Sequence, residues 1–129
     1  MHLMSLGKIV NYKSKSLWLF ASYLLLLICN SFLSFSIIPY KEIWKYDKLI
    51  HFSEYFILGI LYLNALFHQD LKVNILYPIL FISLIPIIDE SIQLFVPNRI
   101  ASIYDAFFDY LGCYIGMSLY YLIYRYKNG

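Results

Sequence analysis

The stretch "VNILYPILFISLIPIIDESIQLFV", residues 73–96, decides what kind of fold this chain adopts. A helix rises about 1.5 Å per residue, so roughly 20 apolar residues cross the ~30 Å hydrocarbon core of a bilayer. The stretch is longer than that, and its two carboxylates, Asp89 and Glu90, come only near its end. It therefore predicts a membrane-spanning helix that carries acidic groups close to one membrane boundary.

Three more apolar stretches of similar length lie at residues 17–38, 49–67 and 104–124. The chain of 129 residues is 61% hydrophobic and 14% charged, whereas a soluble domain has roughly 25% charged residues. Because so few polar residues cannot cover a soluble surface, the lipid bilayer is the expected partner. We predict an all-α fold, in which a single domain over residues 1–129 forms a four-helix transmembrane bundle.

The distribution of Lys and Arg predicts the orientation, because cytoplasmic segments carry the excess of these residues. With four spans, the larger set lies on the side of the termini: Lys8, Lys13, Lys15, Lys72, Arg125 and Lys127. The smaller set lies on the other side: Lys41, Lys45, Lys48 and Arg99. We therefore predict a multi-pass protein of the cell membrane with both termini in the cytoplasm.

Polar residues in the second span are spaced so that they share one helix face. Asp47, His51 and Glu54 stand at i, i+4 and i+7, which places them on the same side of a helix. In the third span, Glu90 and Gln93 are predicted to form one stripe, with Asp89 beside it. These faces predict polar contacts inside the bundle rather than with lipid.

The same polar groups are predicted to lie at one depth in the membrane. The second and fourth helices begin at the boundary that the first and third helices reach. Asp105 and Asp109 lie in the first turns of the fourth span, and Asn30 lies late in the first. We therefore expect a polar pocket that opens on the extracytoplasmic side.

Carboxylates outnumber cations in this predicted pocket, and a charge inside a membrane is costly. The excess is relieved if some acids are protonated, if a metal cation binds, or if a cationic ligand binds. The sequence does not choose among these remedies, so metal and cofactors stay open. A net charge of +2 and the absence of a basic patch argue against nucleic acid as a partner.

The stretches "DKLIHFSEYFILG" (47–59) and "DESIQLFVPNRIASIYDAFFDYLG" (89–112) resemble the motifs of the VanZ-like family of small polytopic membrane proteins. Asn98 departs from the pattern, since glycine is usual there. The resemblance implies a four-helix membrane protein of the bacterial cell envelope. The founding member of that family is associated with teicoplanin-type glycopeptide resistance.

Eight residues form the candidate site: Asp47, His51, Glu54, Asp89, Glu90, Gln93, Arg99 and Asp105. His51 with Glu54 would hold a metal or pass protons, or else join two helices by a hydrogen bond. Glu90 with Gln93 would be a general base and its orienting amide, or a packing pair. Arg99 would bind a phosphate or carboxylate, or else neutralise Asp105 or Asp89.

Three functions fit these residues, and whether the protein is an enzyme stays open. In the first, the pocket binds or excludes an amphiphilic antibiotic, such as a glycopeptide, or a lipid. In the second, an intramembrane enzyme uses His51, Glu90 and Arg99 on a lipid or a lipid-linked envelope precursor. The third is an ion-coupled carrier, which would need an oligomer because four helices are few for a pathway.

Overall fold

The computed structural model describes residues 2–33, 46–69, 74–97, 99 and 101–129. These residues form four helices and no strand, so the predicted all-α fold is confirmed. The helices are α1 (His2–Ser31), α2 (Asp47–His68), α3 (Leu76–Gln93) and α4 (Ile103–Asn128). Each contains a segment long and apolar enough to cross a membrane, which confirms the four predicted spans.

The first helix differs most from its prediction, because it begins at His2 rather than at residue 17. Its apolar crossing is Asn11–Ser31, so the preceding turns extend the helix beyond the apolar segment. Hydropathy locates the crossing, whereas backbone hydrogen bonding continues through residues that are not apolar. Several predictions fall on residues outside the described ranges: the end of the first span at 34–38, Val73, Lys41, Lys45, Lys72 and Asn98.

Local side chains explain where the helices begin. The side chain of Asn74 accepts the N–H of Leu76 at 3.0 Å, just before α3. Ser102 caps α4 by accepting the N–H of Tyr104 at 3.2 Å. Such caps satisfy backbone donors that have no partner inside the helix.

The outer surface of the bundle is apolar. Between 22% and 39% of the residues in each candidate span are buried, and Leu25, Leu84 and Leu122 are each more than half exposed. In water such a surface would aggregate, whereas in a bilayer it contacts acyl chains. The structure therefore describes a multi-pass membrane protein.

Helices α2 and α4 run parallel and touch along their backbones. A Cβ atom added at Gly112 would collide with the carbonyl of Phe52, and one added at Gly116 with the carbonyl of Phe56. Gly59 of α2 makes an equally close approach to α4. Small residues four apart permit this approach in membranes, where packing takes the place of the hydrophobic effect.

Helix α1 packs on α2, while α3 packs on α4 and α1, and both α1 and α3 run antiparallel to α2. The hydroxyl of Tyr23 donates to the carbonyl of Glu54 at 3.0 Å, and that of Tyr62 donates to the carbonyl of Pro78 at 2.8 Å. The last turns of α1 and α3 therefore lie beside the first turns of α2 and α4. This arrangement brings the polar residues of all four helices to one end of the bundle.

Candidate functional site

A polar pocket lies at that end, between α1, α2 and α3. Six of the eight predicted residues line it: Asp47, His51, Glu54, Asp89, Gln93 and Arg99. Asn30 and Ser31 of α1 complete its polar lining. The volume of about 30 Å³ accommodates a water-sized or ion-sized group, far below the roughly 300–1,000 Å³ of pockets that enclose drug-sized ligands.

The imidazole of His51 lies between two carboxylates. Its Nδ1 is 2.8 Å from Oδ1 of Asp109, and its Nε2 is 3.9 Å from Oδ1 of Asp47. His51 is 5% exposed and Asp109 is fully buried. Partners on both ring nitrogens fix the orientation of an imidazole, as they do in catalytic dyads and in metal sites.

Three helices converge on the carboxylate of Asp89. The Ser31 hydroxyl donates to its Oδ1, and the Tyr55 hydroxyl donates to its Oδ2 at 3.0 Å. The amide of Gln93 also donates to Oδ1, at 3.3 Å. All four side chains are buried, so this network ties α1, α2 and α3 together at the base of the pocket.

Arg99 binds the end of α1. Its Nε donates to the carbonyl of Leu33 at 3.1 Å, and an Nη donates to the carbonyl of Asn30 at 2.9 Å. The last carbonyls of a helix have no partner within the helix, so Arg99 completes this terminus. Arg99 also lines the polar pocket together with Asp47 and Glu54.

Asp105 takes a different partner from the one predicted for it. Its Oδ1 pairs with Lys48 Nζ at 3.4 Å, and the side chain of Asp105 is 3% exposed. The cation paired with Asp105 is thus Lys48, in a contact between the first turns of α2 and α4; the role predicted for Arg99 stays a prediction. This pairing depends on α2 and α4 running in the same direction.

Glu90 does not line the polar pocket, and neither of its oxygens accepts a hydrogen bond from Gln93. Its Oε2 accepts the backbone N–H of Ser102 at 2.9 Å, where the chain enters α4. Its Oε1 is buried without a hydrogen-bond partner among the described residues. Gln93 donates to Asp89 instead. Asp89 lies four residues before Gln93, and residues four apart on a helix share a face, as residues three apart do.

Three residues outside the predicted set take part in the site: Ser31, Tyr55 and Asp109. Asp109 was predicted to lie in the polar layer but not in the site. Its position three residues before Gly112 places it on the face of α4 that packs on α2, and this spacing was the available signal for a role in the site. Tyr55 follows Glu54 on the edge of the polar face. Ser31 had no signal of its own, because only its neighbour Asn30 was placed in the polar layer.

Two groups of side chains in this region could hold a metal ion. One consists of Asp47, His51 and Asp105, and the other of His51, Asp89 and Asp109. In each group, one ligand atom per residue lies within 4.8 Å of the others. Carboxylates with an imidazole are a donor set that divalent cations bind.

Comparison with family models identified the VanZ/LLP1 family, whose model matches residues 2–124. This range contains both motif stretches and all eight predicted residues. Comparisons with curated proteins and with solved structures found no match.

Proposed function

The chain belongs to the VanZ/LLP1 family, and from this premise we propose that it is an intramembrane enzyme of the cell envelope. Its substrate is the phosphate-bearing head group of a lipid or of a lipid-linked envelope precursor. The observation that carries the proposal is the convergence of a buried imidazole, several carboxylates and Arg99 on a small pocket in a membrane-spanning bundle.

The size of the polar pocket favours chemistry on a small group. A volume of about 30 Å³ admits a group the size of one water or one phosphate oxygen, while the rest of the substrate stays in the bilayer or in water. A binding protein for a whole antibiotic would need a far larger cavity. The pocket therefore suits a reaction at one bond of a large amphiphile.

In the proposed hydrolysis of a phosphate ester, Arg99 and Glu54 have different roles. Arg99 lines the pocket while its Nε and one Nη hold the end of α1, and its positive charge attracts the phosphate. Glu54 lines the pocket and accepts a hydrogen bond from Asn30 at 3.2 Å. Glu54 takes a proton from a water whose oxygen attacks phosphorus. The bond from phosphorus to the leaving oxygen breaks, and Glu54 returns the proton to that oxygen.

The test is turnover by the purified protein in nanodiscs. A panel of phospholipids and lipid-linked diphosphates is incubated with the protein, and the products are measured by mass spectrometry. Glu54→Gln is expected to lower turnover about 100-fold or more, because positioned proton transfer contributes 10²–10⁴-fold. Glu90→Gln removes the same charge outside the pocket and is expected to leave turnover near that of the unaltered protein.

Two results would refute the proposal: no substrate consumed by the unaltered protein, or equal turnover by Glu54→Gln. Thermal unfolding of each variant shows whether a loss of turnover reflects unfolding. Because the reaction is read from lipid products, it is independent of any measurement of ligand binding.

A second candidate function is resistance to an amine-bearing antibiotic at the outer membrane boundary. It is favoured by the carboxylates Asp47, Glu54 and Asp89, which line the pocket and attract a cationic group. Expression in a susceptible strain, followed by growth in teicoplanin, tests it. If cells that express Glu54→Gln or Asp47→Asn still grow in teicoplanin, the resistance does not depend on the pocket.

A further inference from the structure

We infer that His51, Asp89 and Asp109 bind one divalent metal cation, Mn²⁺ or Mg²⁺, where α2, α3 and α4 meet. One ligand atom from each residue lies within 4.8 Å of the others. Ligand atoms around one such ion, with bonds of about 2.1 Å, lie about 3.0–4.2 Å apart. The three side chains therefore need only a small contraction to bind it.

The second oxygen of Asp109 is an independent sign of a missing cation. Asp109 is fully buried, and its Oδ2 has no hydrogen-bond partner among the described residues. A buried carboxylate oxygen without a partner is costly, because it has lost its hydration and gained nothing. A bound cation supplies the interaction that this oxygen lacks.

The surroundings of His51 match those of a metal-binding imidazole. Its Nδ1 and Oδ1 of Asp109 are 2.8 Å apart, close to the ~3.0 Å between adjacent ligands of an octahedral ion. An ion about 2.1 Å from both atoms would replace the hydrogen bond that joins them, and the Asp109 carboxylate can bind it through one oxygen or through both, Oδ2 included. The Nε2 atom would still face Asp47, as a metal-binding histidine faces a carboxylate on its other nitrogen.

The local charges favour this group over the one formed by Asp47, His51 and Asp105. Asp105 already has Lys48 as its cation, at 3.4 Å. Asp109 has the imidazole on one oxygen and no partner on the other among the described residues. The two carboxylates suit Mn²⁺ or Mg²⁺, and the group contains no thiolate, the ligand that selects soft metals; its single imidazole is a ligand that Zn²⁺ also accepts.

The role of this cation in catalysis rests on the proposed function. Asp47, Glu54 and Asp89 line the polar pocket and repel an anionic phosphate. A divalent cation at its base offsets part of that negative charge, so that phosphate can enter. The binding itself is measured without any substrate, so it can succeed or fail separately from turnover.

The experiment is a Mn²⁺ titration of the purified full chain in a nonionic detergent, followed by electron paramagnetic resonance. One bound Mn²⁺ per chain is expected. Asp109→Asn is expected to weaken the affinity at least about 10-fold, since even residues that only support metal ligands contribute 10–100-fold. Glu90→Gln, which removes the same charge from the neighbouring residue of Asp89, is expected to keep the original affinity.

A folded Asp109→Asn variant that binds Mn²⁺ as tightly as the unaltered chain would overturn the inference. So would a loss of binding in Asp47→Asn with none in Asp109→Asn, because the other group would then be the site. If Asp109→Asn does not fold, pulsed spectra of the unaltered chain decide. Modulation from an imidazole nitrogen on the bound Mn²⁺, together with unchanged binding in Asp105→Asn, supports the site, because His51 belongs to both groups and Asp105 only to the other. Absence of the modulation, or loss of binding in Asp105→Asn, refutes it.

Discussion

Asp89 shows at the residue scale how a carboxylate is tolerated inside an apolar bundle. It accepts hydrogen bonds from Ser31, Tyr55 and Gln93. Each donor is buried. Without Asp89, Tyr55 and Gln93 would lose the acceptor of their side chains, whereas Ser31 could still donate to the carbonyl of Leu27 at 3.0 Å. In lipid no water replaces a lost bond, and the network therefore holds α1, α2 and α3 in a fixed arrangement.

Tyr55→Phe is expected to lower the free energy of unfolding by about 1.5–3 kcal/mol, the usual contribution of a hydrogen bond to a charged group. The phenyl ring would still fit, because the substitution removes only the hydroxyl. Tyr55 is 0% exposed, so no solvent replaces the lost hydrogen bond. Unfolding with a denaturing detergent, followed by circular dichroism, measures the change.

Tyr104→Phe is the matched control, since Tyr104 is 67% exposed. It is expected to leave the unfolding free energy nearly unchanged. Equal losses in the two variants would mean that the bond from Tyr55 to Asp89 contributes nothing to stability.

At the scale of elements, the closest packing joins α2 and α4. Gly112 and Gly116 leave space for the backbone of α2. Because the two helices lie so close, His51 contacts Asp109 and Lys48 contacts Asp105. The glycines therefore serve the site, although none of them lines the polar pocket. Moving α4 outward would separate both pairs together.

Gly112→Ala is expected to destabilise the protein by about 1–3 kcal/mol, the usual cost of overpacking a tight contact. The added methyl group would meet the backbone carbonyl of Phe52, which cannot rotate away as a side chain can. The free energy of unfolding in detergent measures this effect.

Ser118→Ala on the same helix serves as the comparison, because Ser118 is exposed. It is expected to change stability little. If Gly112→Ala were as stable as Ser118→Ala, α2 and α4 would be free to separate, and the close approach would not be required.

At the scale of the whole molecule, four crossings place both ends of the chain on one side of the membrane. The polar pocket lies at the opposite end, where α1 and α3 finish and α2 and α4 begin. The excess of Lys and Arg beside the termini predicts that this opposite end is extracytoplasmic.

Single cysteines test this orientation in a background of Cys29→Ser and Cys113→Ser. Ile103→Cys and Tyr126→Cys lie near opposite ends of α4, at positions that are 84% and 92% exposed. A membrane-impermeant maleimide is expected to label position 103 in intact cells. Labelling of position 126 is expected only after permeabilisation.

The reverse labelling pattern would place the polar pocket in the cytoplasm and end the proposed role at the outer boundary. Labelling of both positions in intact cells would show that α4 does not cross the membrane.

The sequence by itself determined the spans and the polar layer, because both depend on features that lie along each helix. Apolar length predicted four crossings, and the spacing of Asp47, His51 and Glu54 predicted one polar face on α2. The two motif stretches pointed to the family that the comparison identified.

Only the tertiary structure decided which groups meet, because that depends on how far each helix is rotated about its own axis. A helix that is apolar on nearly every side gives little information on this rotation. The observed rotation of the helices places Asp89 rather than Glu90 in the lining of the polar pocket. It also pairs His51 with Asp109 and brings Arg99 to the carbonyls that end α1. These partners come from helices far apart in the chain, and packing between backbones brings them together.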